Sequence, residues 1–271
     1  MNKKKWLATP YIIWMAAFII IPLILVVYYG VTTDSGSFTL ENVKNIANHD
    51  NMKALLLSLK LSLISTVICL VLAYPLAMIL SKMQMNSHSF IVLIFILPMW
   101  MNFLLRTLAW QTLLEKNGVI NTLLGYLGIS GIDIINTPSA IILGMVYNFL
   151  PFMVLPIYNT LIKLDLNVIN AARDLGANST QTFTKIIFPL SLPGVVSGIT
   201  MVFVPALTTF VISDILGGGK ILLIGNIIEQ DFRSSRWNVG SGLSLVLMVF
   251  ILLSMAILAK YDKDSEGTNI W

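Results

Sequence analysis

Between Asp133 and Lys163 the chain reads IINTPSAIILGMVYNFLPFMVLPIYNTLI, residues 134–162, without one charged side chain. A helix rises about 1.5 Å per residue, so about 20 residues cross a hydrocarbon core of about 30 Å. This run is long enough to cross. Outward from it, further uncharged stretches occupy 6–33, 61–81, 83–105, 186–213 and 237–259. A soluble fold has no interior in which to hide six of them. Composition agrees, since 56% of the 271 residues are hydrophobic and 11% are charged, against about 25% charged in a soluble domain. The expected fold is an all-α membrane protein with one transmembrane domain over 1–271. Its six transmembrane helices lie at about 8–30, 61–81, 89–113, 138–162, 194–216 and 240–259.

Met1–Lys5 is basic and precedes an apolar run too long for the central region of a secretory signal, so it reads as the start of an uncleaved span. Six spans put both termini on one side. With the N-terminus inside, the cytoplasmic segments carry Lys3, Lys4, Lys5, Lys82, Lys163, Arg173, Lys185, Lys260 and Lys263. The outer ones carry Lys44, Lys53, Lys116, Lys220, Arg233 and Arg236. The bias favours a plasma (inner) membrane protein with cytoplasmic termini. It also accounts for the net charge of +4 without a nucleic-acid partner. Lys60 sits at the outer edge of the second span, within snorkelling reach of water. The outer connections 31–53 and 114–137 read as loops with short helical pieces. Pro22, Pro75, Pro98, Pro151, Pro156 and Pro205 fall within spans, as packing irregularities or as hinges along a translocation path.

Cys69 is the single cysteine, and His49 and His88 are separated, so neither a disulfide nor a Cys/His metal cluster is expected; no cofactor is implied. Gly217-Gly218-Gly219-Lys220 has part of a phosphate-loop pattern. That pattern needs Gly at 214 and Ser or Thr at 221, where the chain has Asp214 and Ile221, so the run reads as a turn. The chain carries no nucleotide site of its own and no enzyme motif; energy for uphill movement would enter through a partner or a gradient.

The inner segment 163–193 has helical patterning. Asp165 can cap a helix in which Val168, Ala172 and Leu175 share a face, and Gly176 can close it in the left-handed conformation. Asn178-Ser179-Thr180 can start a second helix through Phe183, Ile186 and Ile187 towards Pro189 and Pro193. The pair is a helix–turn–helix on the cytoplasmic face, and its small Ala171 and Ala172 suit either a partner's groove or the lipid surface.

The run Asn170-Ala171-Ala172-Arg173-Asp174-Leu175-Gly176, nine further residues, then Ile186-Ile187-Phe188-Pro189 resembles the EAA loop of binding-protein-dependent ABC importer permeases. That pattern is E-A-A, three residues, G, nine residues, I-x-L-P. The spacing matches throughout; Asn170 stands for the Glu and Phe188 for the Leu. The resemblance implies a type I importer permease (MetI-like) fold with a cytoplasmic coupling helix, in which residues 170–176, Ile186 and Pro189 dock into an ATPase. Leu97-Pro98-Met99-Trp100-Met101-Asn102, Thr137-Pro138-Ser139-Ala140, Leu150-Pro151-Phe152-Met153-Val154-Leu155-Pro156 and Leu222-Leu223-Ile224-Gly225-Asn226 are similar to the permeases of spermidine/putrescine importers. This implies polyamine import alongside a PotC-type permease, a PotA-type ATPase dimer and an external PotD-type polyamine-binding protein.

A polyamine's hydrated ammonium groups need carboxylates or π-faces to replace water along a path. Asp214 is the acidic residue at a span core, either in the cation path or as a cap or ion-pair partner of Lys220. Trp100 and Trp110 offer ammonium-binding faces, or anchor the third span at the bilayer interface. Trp100 is favoured because it follows Pro98. Tyr147 and Asn148 offer polar contacts or fill structural roles, and Glu115 could gather cations at the mouth. Arg106 would repel a polyamine and is expected to pair with a partner-chain carboxylate or with carbonyls. The alternatives are an importer of another small solute and, from another class, a gradient-driven secondary transporter.

Overall fold

The structure, a computed structural model, describes residues 9–82 and 99–266. The basic stretch Met1–Lys5, the first residue of the first expected span and positions 89–98 of the third lie outside the described residues. Among the described residues, five helices are long and apolar enough to cross a bilayer: 10–30, 49–81, 138–161, 179–208 and 237–258. In chain order the helices are α1 (9–30), α2 (Glu41–Lys44), α3 (His49–Ser81), α4 (Phe103–Leu114), α5 (Val119–Tyr126) and α6 (Pro138–Leu161). They continue with α7 (Leu166–Asp174), α8 (Ser179–Thr208), α9 (Val211–Leu216), α10 (Ile224–Arg233) and α11 (Trp237–Glu266).

The stretch that decided the fold is also the centre of the bundle. α6 packs against α3 on one side and α8 on the other, and Ile141, Met145, Met153 and Ile157 on it are fully buried. Thr137 starts this helix: its side chain accepts from the Ala140 N–H, and Pro138 follows at the first turn, where its missing N–H costs nothing. α8 approaches α6 closely through Gly194 and Gly198, spaced four apart. A Cβ at Gly198 would stand 2.7 Å from Met153 Sδ, and one at Gly194 2.7 Å from the Pro156 carbonyl oxygen. In an apolar solvent the hydrophobic effect cannot hold helices together, so such small-residue contacts supply the packing. The outermost helix, α1, packs along α11 and presents Tyr11, Ile13, Phe18 and Ile24 outward, as a lipid-facing helix should.

Two π-helical turns, 16–20 and 183–187, each end two residues before a proline, Pro22 and Pro189. Ile21 N–H reaches back five residues to the Ala16 carbonyl, and Phe188 N–H does the same to Phe183. A proline ring crowds the carbonyl one turn earlier; the wider turn makes room, so both helices continue through their prolines.

The elements differ from the expected spans in three places. α3 begins at His49, twelve residues before 61, so Lys60 stands exposed within a helix rather than at its edge. The third span is interrupted at Met101–Asn102, where the Asn102 side chain accepts from the Leu104 and Leu105 N–H groups (2.8 and 3.3 Å) and starts α4 afresh. The expected 194–216 span is replaced by α8, which begins at 179, ends at Thr208 and is followed by the separate α9. The elbow's second helix runs straight into the membrane helix, and the far end breaks instead.

The glycine contacts carry a measurable load. Gly198→Leu should overpack the α6–α8 seam by about 1–3 kcal/mol and lower the melting temperature of the purified protein. Gly125→Leu, at an exposed position with nothing within 4 Å of a Cβ, should leave it within a degree or two.

Candidate functional site

Two groups of residues stand at opposite ends of α8. At its C-terminal end the chain leaves the helix at Thr209 (φ −67°, ψ 138°) and re-enters helix at Val211. Pro205 has already removed one N–H from the last turn, and the Thr208 hydroxyl donates back to the Val204 carbonyl at 3.1 Å. Gly225, the second residue of α10, lies against the freed end: a Cβ there would stand 2.7 Å from the Thr208 carbonyl oxygen. Only glycine lets the two backbones meet. Between α9 and α10, Gly218 and Gly219 take positive φ (60° and 67°), and the Asn136 N–H donates to the Leu216 carbonyl at 2.9 Å, which seats the turn on the start of α6.

Asn226 is the hub of this junction. Its Oδ1 accepts from the Ser213 hydroxyl (2.6 Å) and the Leu223 N–H (2.9 Å). Its Nδ2 donates to the Phe210 carbonyl (3.1 Å) and to Asp214 Oδ1 (2.6 Å). Asn226 and Ser213 are buried, whereas Asp214 is exposed. Two residues earlier, the start of α10 is tied to α3: Ile224 N–H donates to the Ser58 hydroxyl at 2.8 Å. Asp214 is thus held by an amide rather than by Lys220.

α9 packs on both α4 and α6; a Cβ at Gly144 of α6 would overlap the Leu216 side chain and lie 2.9 Å from Ile212 Cγ2. On those two helices an aromatic stack has formed. The Arg106 guanidinium carbon lies 5.8 Å from the Tyr147 ring centroid, and Trp110 meets the same ring at 5.1 Å and 68°. Arg106 is buried. Tyr147 therefore has its ring engaged by its own chain, and Trp110 is half-buried beside it rather than a free interface anchor. Asn148, the next residue, turns inward: it is buried, and Nδ2 donates to the Gly144 carbonyl at 2.8 Å. Trp100, 77% exposed, and Glu115, also exposed, stand beyond opposite ends of α4. Twelve helical residues put them about 18 Å apart, so they do not form one site.

The sequence reading attached no role to Ser58, Ser213 and Asn226. Asn226 sits in the run Leu222–Asn226, quoted above for its similarity, and that was the signal available. Downstream, Asp231 is buried with its Oδ1 2.6 Å from Arg236 Nη2. Burial pushes its carboxyl up, and Arg236 opposes this.

At the other end of α8 lies the elbow. Asp165 Oδ1 accepts from the Asn167 N–H at 2.9 Å and starts α7. Gly176, at φ +84°, closes it, with the Ala177 N–H returning to the Ala172 carbonyl at 3.0 Å. Asn178 and Gln181 then form a reciprocal capping box (3.0 and 2.8 Å). Of the face Val168, Ala172 and Leu175, only Ala172 is buried; Leu175 is 89% exposed. Asn170, Ala171, Arg173, Asp174 and Pro189 are also exposed. A groove of about 380 Å³ runs between the arms, lined by Ala172, Leu175, Gly176, Gln181, Lys185 and Ile186. Behind it, Phe183 and Phe188 pack on Tyr74 of α3 at 5.7 and 5.8 Å, and the Tyr74 and Ser191 hydroxyls share a buried hydrogen bond of 2.7 Å.

The molecule is thus a multi-helix membrane bundle with an exposed helix–turn–helix continuous with one span. Residues 46–264 match the family model of the binding-protein-dependent transport system inner membrane component. The chain belongs to this family: it is a transport permease and not an enzyme. It is 39% identical over 259 residues to the spermidine/putrescine transport system permease protein PotB of Haemophilus influenzae, covering 92% of this chain and 91% of the relative. It is 38% identical over 253 residues to the PotB of Escherichia coli, covering 90% and 92%. A solved bacterial ABC transporter, involved in import of the acidic polysaccharide alginate, shares the fold at a TM-score of 0.77. Its sequence identity is 16%, with 99% of this chain and 98% of that one covered.

Asp231 gives a pH test. A carboxyl raised above its unfolded value, about 3.9, contributes stability that is present below that value and is lost as pH rises through the folded one. Relative to Asp231→Asn, whose amide does not titrate, the natural protein should therefore lose melting temperature as pH is raised from about 4 to 7. A thermal-melt series on the two purified proteins measures the difference.

Proposed function

We propose that this chain is a permease subunit of an ATP-driven polyamine importer. Together with a PotC-type permease it forms the translocation path, served by a PotA-type ATPase dimer and an external PotD-type polyamine-binding protein. The observation that carries the reading is 39% identity to a spermidine/putrescine permease along nine-tenths of the chain. Both termini and the elbow face the cytoplasm, in keeping with the lysine and arginine bias.

The elbow receives the stroke. Leu175 and Val168 stand exposed beside a groove with an alanine floor, and a helix with an uncovered apolar face is suited to a partner's cleft. ATP-driven closure of the ATPase pair moves α7; the capping box and the packing on Tyr74 make α7, α8 and α3 move together. Asn170, where the family pattern has Glu, meets the ATPase as a neutral hydrogen-bonding group. At the outer end, the exposed Asp214 carboxylate receives an ammonium, while Trp100 offers an aromatic face and Glu115 collects cations at the mouth. Tyr147 acts through Arg106, which it holds by its ring face.

Two outcomes test these assignments. Gly176→Asp forces an L side chain to φ +84°, at a cost of about 1–2 kcal/mol, and sets a charge in the groove. Substrate-stimulated ATP hydrolysis by the reconstituted importer should fall several-fold while membrane abundance stays unchanged; unaltered stimulation would refute docking through the elbow. Asp214→Asn should lower labelled spermidine uptake about tenfold at equal abundance, the equivalent of about 1.4 kcal/mol. Unchanged uptake would remove Asp214 from the path.

A further inference from the structure

We infer that Asn226 is a positioning residue for polyamine transfer: it fixes the Asp214 carboxylate at the break between α8 and α9. The inference rests on the proposed cation role of Asp214 and adds what holds that group in place.

The argument begins with the amide's capacity. A primary amide has two N–H donors and two acceptor positions on its oxygen. In Asn226 all four are in use, on Ser213, Leu223, Phe210 and Asp214. Three of the four are fixed parts of the frame: two backbone groups and one buried hydroxyl. The fourth is the exposed carboxylate. A side chain anchored at three points has no freedom to follow its fourth partner, so the carboxylate must settle where Nδ2 directs it. The frame is anchored in its turn, because Ile224 N–H is bonded to Ser58 on α3 and Ser58 donates to the Ala54 carbonyl at 2.8 Å. Asp214 lies on a helix of six residues with a break on one side and a glycine turn on the other. Left to itself such an element would not hold a charge in register with the bundle. The amide bond uses Oδ1, so the carboxylate still has an oxygen for an incoming ammonium.

Chemistry at this position is specific. Aspartate at 226 would keep the acceptor atoms and lose both donors, to the Phe210 carbonyl and to Asp214, setting two carboxylates against each other. Leucine would keep the volume and lose all four bonds. An exchange of partners, Asp214→Asn with Asn226→Asp, would restore an amide–carboxylate pair but move the charge from the exposed position to the buried one.

The test uses the complete importer in proteoliposomes with loaded binding protein, measuring both labelled spermidine imported and ATP hydrolysed. In Asn226→Leu and Asn226→Asp, spermidine imported per ATP should fall about tenfold while stimulated ATP hydrolysis per transporter stays within about twofold of the natural protein. In an Asp214→Asn background Asn226→Leu should add less than about twofold. The exchanged pair should keep abundance and hydrolysis near those of the natural protein and still fail to recover import per ATP. A purely structural Asn226 predicts the opposite: import and hydrolysis fall together, their ratio holds, and the exchanged pair rescues both. If Asn226→Leu fails to reach the membrane, Asn226→Asp and the exchanged pair decide by the same ratio. If Asp214→Asn alone leaves import per ATP unchanged, the cation role of Asp214 falls and this inference with it. If Asp214→Asn lowers it and the Asn226 variants do not, only the positioning role is overturned.

Discussion

A helix that stops within an apolar bundle leaves carbonyls that need partners, and burying them unpaired costs several kcal/mol each. α8 stops in this way at Thr208, and the remainder of the outer junction follows from that stop. The Thr208 hydroxyl folds back on the helix, Gly225 lies against its last carbonyl, and the Phe210 carbonyl accepts from the Asp214 N–H and from Asn226. The short helices α9 and α10 exist here because the break must be satisfied from within. A solvent-exposed loop would have needed none of this, and would have carried no fixed charge either.

The same constraint is handled differently at the other end of α8. There the chain does not break. Pro189 would obstruct an ordinary α-turn, and the π-turn at 183–187 absorbs the ring while keeping the helix continuous into the elbow. Continuity matters because α7 and its turn can move α8 only if the connection is stiff. Phe183 and Phe188 on Tyr74 add side-chain support to the backbone connection.

Charge spacing made the long helices legible, because a missing charge over twenty residues has one economical explanation. The elbow was legible for a local reason: Asp165, Gly176 and Asn178 are each the residue that its backbone position favours, and each acts within three residues of itself. The break at Thr209–Phe210 was not legible. Both residues are as compatible with a membrane helix as their neighbours, so hydropathy runs through them to 216, and what ends the helix comes from Gly225 and Asn226, well beyond it in sequence. Tyr147 and Trp110 illustrate the complementary loss. Their types suggest a free aromatic face for a cation, but the cation on Tyr147 is Arg106 of the same chain, supplied by a helix about 40 residues earlier.

Together these contacts set which parts can move. α3 is joined to the α8 side of the molecule twice, by Tyr74 to Ser191 near the elbow and by Ser58 to Ile224 near the break. Between the two joints, α6 fills the gap, with glycines of α8 pressed on Met153 and Pro156. Sliding α8 along α3 would strain both joints, and separating α8 from α6 would open a seam with no side chains to fill it. The three helices therefore form one body, and a push at the elbow must turn that body as a whole. α1 is outside it, packed along α11 rather than on the core helices, with most of its surface toward lipid. In a body built this way, a displacement at the elbow would reach the break at Thr208 without rearranging the interior. The carboxylate at Asp214 is fastened to the same body through Asn226, so any displacement applied at Gly176, some 40 residues away, would carry it along.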